Sequence, residues 1–197
     1  MSFVMSFVRK SKMIFFSTVA KLIMKTNIKN IRIASFIVFS PKGQSAIGKD
    51  FFAGESFYLS TNIYCNLSIG DSVMFGPRVS ILGGNHDYKF TDNHLRYNYR
   101  DDQNTGHITI ENGAWVGANT TILSGANISE GSIVGAGGLV SHYIPPYVIA
   151  VGTPAKIYKA RFNKHDLSEI LINVNSNYRV DDIFEIYSKF SVNLVEG

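Results

Sequence analysis

Histidine is the side chain whose ordinary titration lies nearest neutral pH, so it is the first place to look for proton transfer. The chain has five: His86, His94, His107, His142 and His165. A histidine in a surface loop is most often a bystander, but His86 differs in its setting. It stands in Gly83-Gly84-Asn85-His86-Asp87, directly after the aliphatic pair Ile81-Leu82 and at the head of a stretch rich in aromatic and charged residues. Its backbone is therefore held by ordered chain while its ring stands where an excursion leaves, which suits a general base. Asn85 and Asp87 can orient the ring or bind an acceptor. A second candidate is the cationic group Lys156, Lys159 and Arg161 after Gly152-Thr153-Pro154-Ala155. It reads equally as a solvated surface and as a site for a phosphate-rich ligand. The one cysteine, Cys65, excludes an intramolecular disulfide and a cysteine-based zinc cluster. Its place inside a repeat stretch reads as a buried, inert thiol.

The element that must position His86 is a repeat of six. From Ile110 to Ser141 a β-branched aliphatic opens every hexad: Ile110, Val116, Ile122, Ile128, Val134 and Val140. Four places on, the residue is always small: Ala114, Thr120, Ala126, Ser132 and Gly138. Helices and strands have periods of 3.6 and 2, so neither explains six. A solenoid with one short strand and one corner per hexad, three hexads per coil, does. The aliphatic points to the axis and the small residue lets the chain turn. Less regular hexads begin at Ile47, and the frame slips at Cys65, which opens a unit of only four residues before Ile69. Two coils are expected over residues 47–84 and two more over 110–144. Between them the period fails, so residues 85–107 must project as a loop, with Tyr88, Phe90, Arg96, Tyr97, Tyr99, Arg100, Asp101 and Asp102 available for contact.

Charge divides the chain. Residues 1–49 carry nine Lys or Arg and no Asp or Glu, whereas the remainder carries ten basic and fifteen acidic groups. A basic end on an acidic body suggests a surface-seeking segment, and no aromatic-plus-basic motif supports nucleic-acid binding. The expected units are a basic amphipathic segment (1–46), a β-helix domain (47–160) and a helical tail (161–197). Residues 1–30 read as an amphipathic helix or two. Lys10, Lys21, Lys25 and Lys29 share one side; Val8, Phe15, Phe16, Val19, Leu22 and Ile23 share the other. That segment is expected either to cover the open end of the coil or to meet anionic lipid. No apolar run spans a bilayer, which needs about 20 residues, and a cytoplasmic protein, peripheral at the membrane's inner face, is expected. In the tail, Asp166 and Glu169 form a capping box ahead of Leu167, Ile170 and Leu171.

These hexads, together with Asn85-His86-Asp87, Trp115-Val116-Gly117-Ala118, Val134-Gly135-Ala136 and Gly152-Thr153-Pro154-Ala155-Lys156, resemble the hexapeptide-repeat acyltransferases, most closely the sugar and xenobiotic O-acetyltransferases. The resemblance runs from about Ile47 to Arg161. It implies a mainly β fold, a left-handed parallel β-helix with N-terminal and C-terminal helices. It also implies a homotrimer with active sites between subunits, acetyl-CoA as donor with no metal, and a sugar or saccharide acceptor. Carried onto this chain, His86 is the catalytic base and Asn85 and Asp87 lie on the acceptor side. Trp115, Ala118, Ala136, Ser141, His142, Lys156 and Lys159 lie along the donor. Two departures stand out: Gly138 where Ser is usual, and His142-Tyr143 where Lys-Asp is usual. Three alternatives share the scaffold: acetylation of an amino sugar, acetylation of a streptogramin antibiotic, and a zinc site. The last needs three converging histidines, and His86, His107 and His142 do not fall on matching hexad corners. A non-catalytic scaffold is the alternative of a different class.

Overall fold

The computed structural model describes residues 2–24, 29–98 and 105–195. Short parallel strands stack into three faces, which we call A, B and C, and the chain visits them in that order to form a left-handed parallel β-helix. The first coil is Arg32–Ile33, Phe36–Ser40 and Ser45–Ile47. The second is Phe52–Ala53, Phe57–Thr61 and Leu67–Ile69, and the third Met74–Phe75, Ser80–Gly83 and Ile108–Ile110. Trp115–Val116, Thr121–Leu123 and Asn127–Ile128 make the fourth; Ile133–Val134, Leu139–Val140 and Tyr143–Ile144 make the fifth. A hairpin of Val148–Val151 and Lys156–Ala160 closes face A.

Each face sends one column of side chains to the axis. On face A the column is Ile33, Ala53, Phe75, Val116, Val134 and Ala150; on B it is Phe39, Leu59, Ile81, Ile122 and Val140. On C it is Ile47, Ile69, Ile110, Ile128 and Ile144. All are buried, and a buried aliphatic of this size contributes about 1.5–3 kcal/mol. The small residues Ala114, Thr120, Ala126 and Ser132 are buried as well, tucked inside the corners. The A–B and C–A corners each place one residue in the left-handed region at a fixed position: Ser56, Arg78, Asn119 and Gly137 on one, Asp50, Ser72, Gly113, Gly131 and Tyr147 on the other.

Two expectations are corrected here. The coil begins at Arg32, not near residue 47: Ile33 to Phe39 keeps the six-residue step, but Phe39 to Ile47 is two residues longer, and Phe replaces Ile or Val. Phe57 and Phe75 lie 5.6 Å apart near the axis with their rings tilted, and Phe51 is edge-on to Phe75. Cys65 does not open a hexad. The B–C connection from Leu59 to Ile69 is four residues longer than in the fourth coil, and Cys65 plugs the widened corner, buried, its thiol donating to the Gly106 carbonyl at 3.3 Å. Burial pushes that thiol's pKa up.

Helix α1, Ser2–Ile23, covers the first coil. Ser17 Oγ accepts from the Ile33 N–H at 3.0 Å, Phe16 meets Phe36 edge-on at 4.9 Å, and Ala20 is buried. The side it buries is centred on Ser17 and Ala20, and most of the apolar side read from the sequence, Val8, Phe15, Leu22 and Ile23, faces out. Lys25 lies outside the described residues. At the other end, α2 (Lys164–Asn173) and α3 (Val180–Lys189) fold back on the coil. Asn163, not Asp166, is the N-cap of α2, accepting from the Asp166 N–H at 2.9 Å. Tyr187 holds α3 through the carbonyls of Pro146 and Tyr147. The tail is further anchored on Glu130, which accepts from the Tyr147 hydroxyl at 2.7 Å and from Ser176, and on Glu111, which accepts from Tyr178 at 3.0 Å.

The corners demand glycine where coils approach most closely. A Cβ on Gly117 would lie 2.5 Å from the Ala136 nitrogen, a backbone atom that cannot step aside. Gly117→Ala is expected to cost roughly 1–3 kcal/mol and to lower Tm by several degrees in a thermal melt.

Candidate active site

Only the B–C corner carries the excursion. Gly83 approaches Cys65 and Thr61 so closely that a Cβ would sit 2.6 Å from Cys65 Sγ. Gly84, at φ +110°, donates its N–H to Ser124 Oγ at 2.7 Å. The chain therefore leaves the coil pinned between the corner below and the corner above, and the next residues are Asn85 and His86, both exposed. Asp87 turns the loop: one carboxylate oxygen accepts from the Lys89 N–H at 3.1 Å, and its carbonyl accepts from buried Asn98 at 2.8 Å. Beyond a short helical turn at Leu95–Tyr97, with Tyr88 and Tyr97 exposed, residues Tyr99, Arg100, Asp101 and Asp102 lie outside the described residues. The return is anchored at the same corner, where the His107 carbonyl accepts from Gly125 and its Nδ1 from the Asn66 N–H.

Ser141 and His142 sit on this corner too, two coils above His86, and both are exposed. Ala118 and Ala136 do not. They occupy the A–B corner, one coil apart, joined by the Gly137 N–H donating to the Ala118 carbonyl at 2.8 Å. The N–H groups flanking Ala118, on Gly117 and Asn119, donate to neighbouring coils, as do those of Gly135 and Gly137 around Ala136. Trp115 lies outward on face A between Met74 and Ile133, nearly half exposed. Lys156 and Lys159 lie exposed on the hairpin strand that ends face A. Ala118 and Ala136 thus lie on one edge of face B and His86, Ser141 and His142 on the other, while Trp115 and the two lysines lie on face A, Lys156 opposite Val151 and Lys159 opposite Ile149. A single chain does not bring them together.

His86, His107 and His142 all border the B–C corner, contrary to the expectation that they fall on unmatched corners. Their ring nitrogens nonetheless do not converge. Among the described residues the one group of close metal-capable side chains is His165, Asp166 and Glu169, exposed at the start of α2. Sequence reasoning missed Asn98 and Ser124, which hold the loop and its root. Nothing in their local pattern sets them apart, because their partners are backbone groups brought up by the coil.

Curated proteins match part of this chain. Over 125 residues the chain is 34% identical to a galactoside O-acetyltransferase of Lactococcus lactis, covering 58% of this chain and 58% of that one. Over 118 residues it is 30% identical to the galactoside O-acetyltransferase of Escherichia coli, covering 57% and 55%. These acetyltransferases are what the chain is similar to over part of its length. It spans a little over half the length of these curated relatives. No protein-family model matches it. Among solved structures, AntD, an N-acyltransferase from Bacillus cereus in complex with dTDP and 3-hydroxybutyryl-CoA, superposes with a TM-score of 0.53 at 22% identity, over 75% of this chain and 79% of that one. That likeness establishes the fold.

Asn98→Ala is expected to release the Asp87 carbonyl and loosen the loop. Limited proteolysis should then cut within residues 88–98 faster, while melting of the coil barely moves.

Proposed function

We propose that this chain is an acetyl-CoA-dependent O-acetyltransferase acting on a hydroxyl of a sugar or polysaccharide, with His86 as general base, and that it works as a homotrimer. The observation that carries this reading is that His86 lies on one edge of face B and Ala118 and Ala136 on the other. A base on one corner and a donor-binding strip on the other form one site when a corner of one prism meets the groove of the next. Threefold closure of identical prisms provides that meeting three times over.

The groups fit the two substrates. On the B–C corner, Ser141 and His142 lie two coils from His86, roughly 10 Å along the axis at about 4.8 Å per coil. An extended pantetheine arm is of that order in length. Ala118 and Ala136 on the neighbouring copy offer backbone groups one coil, about 4.8 Å, apart along the same direction. Lys156 and Lys159, at the far end, suit the phosphates of CoA. His86 takes the proton of the acceptor hydroxyl as that oxygen attacks the thioester carbonyl. A coil N–H holds the oxyanion; the C–S bond then breaks and His86 returns the proton to the sulfur. Asn85 and Asp87 line the acceptor side, and the aromatic loop supplies faces on which a sugar ring can stack.

The galactoside O-acetyltransferases among its relatives support a hydroxyl acceptor. AntD, solved also with dTDP-4-amino-4,6-dideoxyglucose and coenzyme A at a TM-score of 0.55, favours a second reading in which an amine accepts the acyl group. One experiment separates them: release of CoA followed against sugars, oligosaccharides and nucleotide-linked amino sugars. Turnover only with an amine would replace the first reading by the second. His86→Ala is expected to fold normally and to lose about 10²–10⁴-fold in kcat; near-native turnover would overturn the assignment. Lys156→Ala with Lys159→Ala should raise KM for acetyl-CoA by roughly tenfold or more, as for loss of charge-assisted hydrogen bonds, and leave kcat unchanged.

A further inference from the structure

Helix α1 covers the coil with its less apolar side. Toward the coil go Ser17 and Ala20, with Met13, Phe16 and Met24 half-buried. Outward go Phe7 (65% exposed), Val8, Ile14, Phe15 and Leu22 (72% exposed). At 3.6 residues per turn these five, with Ser11 and Thr18, fill one arc about 120° wide. Thr18 returns its hydroxyl to the Ile14 carbonyl at 2.8 Å, so even this polar member of the arc makes its bond within the helix. Lys10 and Lys21 border the arc on one side; Arg9 and Lys12 lie beyond its other edge. Lys12 reaches Glu55 of the coil at 3.9 Å, which ties the helix to its support. A cap that served only to shield the first coil would turn its polar side to water. This one is apolar on both sides, with Met13, Phe16, Ala20 and Met24 toward the coil and the larger arc of Phe7, Val8, Ile14, Phe15 and Leu22 toward solvent.

We propose that α1 is a membrane-docking helix that lies in the surface of an anionic bilayer, its outward arc among the acyl chains and its basic flanks among the headgroups. Charge selects this occupant over a second copy of the chain. Residues 1–49 hold nine basic and no acidic side chains, so two such helices packed face to face would repel, whereas a negative surface attracts both. No described helix is long and apolar enough to cross a membrane, in keeping with a helix that lies on one. Exposed Lys29 and Arg32, and Ile37 at 68% exposure on the first coil, add to the same basic and apolar end.

The test uses the full chain, sedimented with vesicles of phosphatidylcholine alone and of phosphatidylcholine with an equal amount of phosphatidylglycerol. The chain is expected to pellet with the mixed vesicles, to stay in solution with the neutral ones, and to be released by high salt. Phe15→Ser with Leu22→Ser should weaken partition about a hundredfold, taking roughly tenfold for each large apolar side chain withdrawn from the acyl region. Lys10→Gln should weaken it about fivefold. Because these side chains are exposed and lie outside the proposed site, Tm and the release of CoA should not change. Equal binding to both vesicle types, or binding indifferent to Phe15→Ser with Leu22→Ser, would overturn the proposal. So would a larger assembly, formed without lipid and abolished by the same pair, which would make a second copy the occupant. None of these outcomes depends on whether the acceptor is a hydroxyl.

Discussion

Everything in this fold depends on consecutive coils staying in hydrogen-bond register. A parallel ladder between short strands holds only if the inward residue of each coil stands directly over the one below, and the three columns do so on every face. Two of the three corners follow this strictly. From face A to B the steps Ile33 to Phe39, Ala53 to Leu59, Phe75 to Ile81, Val116 to Ile122 and Val134 to Val140 are all six residues. From C to A they are again six, from Ile47 to Ala53 through Ile144 to Ala150. Every irregularity falls on the B–C corner, where the steps are eight, ten, twenty-nine, six and four.

That asymmetry explains where chemistry can be carried. A corner that holds a left-handed residue at a fixed place, with glycine beneath the next coil's backbone, has no room for an insertion. The B–C corner instead closes with local devices: Asn62 receiving the N–H groups of Tyr64 and Cys65, the buried Cys65 thiol, and Ser124 capturing Gly84. Such a corner can let out a long loop and take it back at Thr105–His107 without disturbing its neighbours. His86 is therefore at the one edge of the prism free to vary. The regular A–B corner keeps Ala118 and Ala136 in line because it cannot vary.

The later coils were legible from residues 110–141 because Ile or Val recurs there without interruption. The first coil was not, since Phe36–Ser40 carries large aromatics and its exit is two residues too long, so the period fails although the six-residue step into Phe39 is intact. Cys65 imitated a hexad opener by lying six residues after Leu59, when the chain was in fact rounding a swollen corner. His86 could be picked out because it follows an intact strand directly. The separation of Ala118 and Ala136 from it follows only from knowing which face each strand joins. Two further features depend on tertiary partners that local sequence does not name: the side of α1 that packs inward, and the Glu111 and Glu130 anchors of the tail. An amphipathic wheel shows how the apolar residues are spread round the helix, and where they are spread widely it does not show which of them the coil takes.

The ends of the prism are also unlike one another. Helix α1 closes the first coil, His86 leaves the third, and Lys156 and Lys159 lie beyond the fifth. With α1 on a bilayer as proposed, His86 stands roughly 20 Å above it, taking about 10 Å for the helix and about 4.8 Å for each coil. The basic strip suited to phosphates lies farther out still, which keeps a polyanionic donor away from an anionic surface that would repel it. The loop over residues 88–98, with Tyr88 and Tyr97 exposed, leaves from the third coil together with His86. The same ladder that fixes the inward columns thus also fixes how far the base and the basic strip stand from α1.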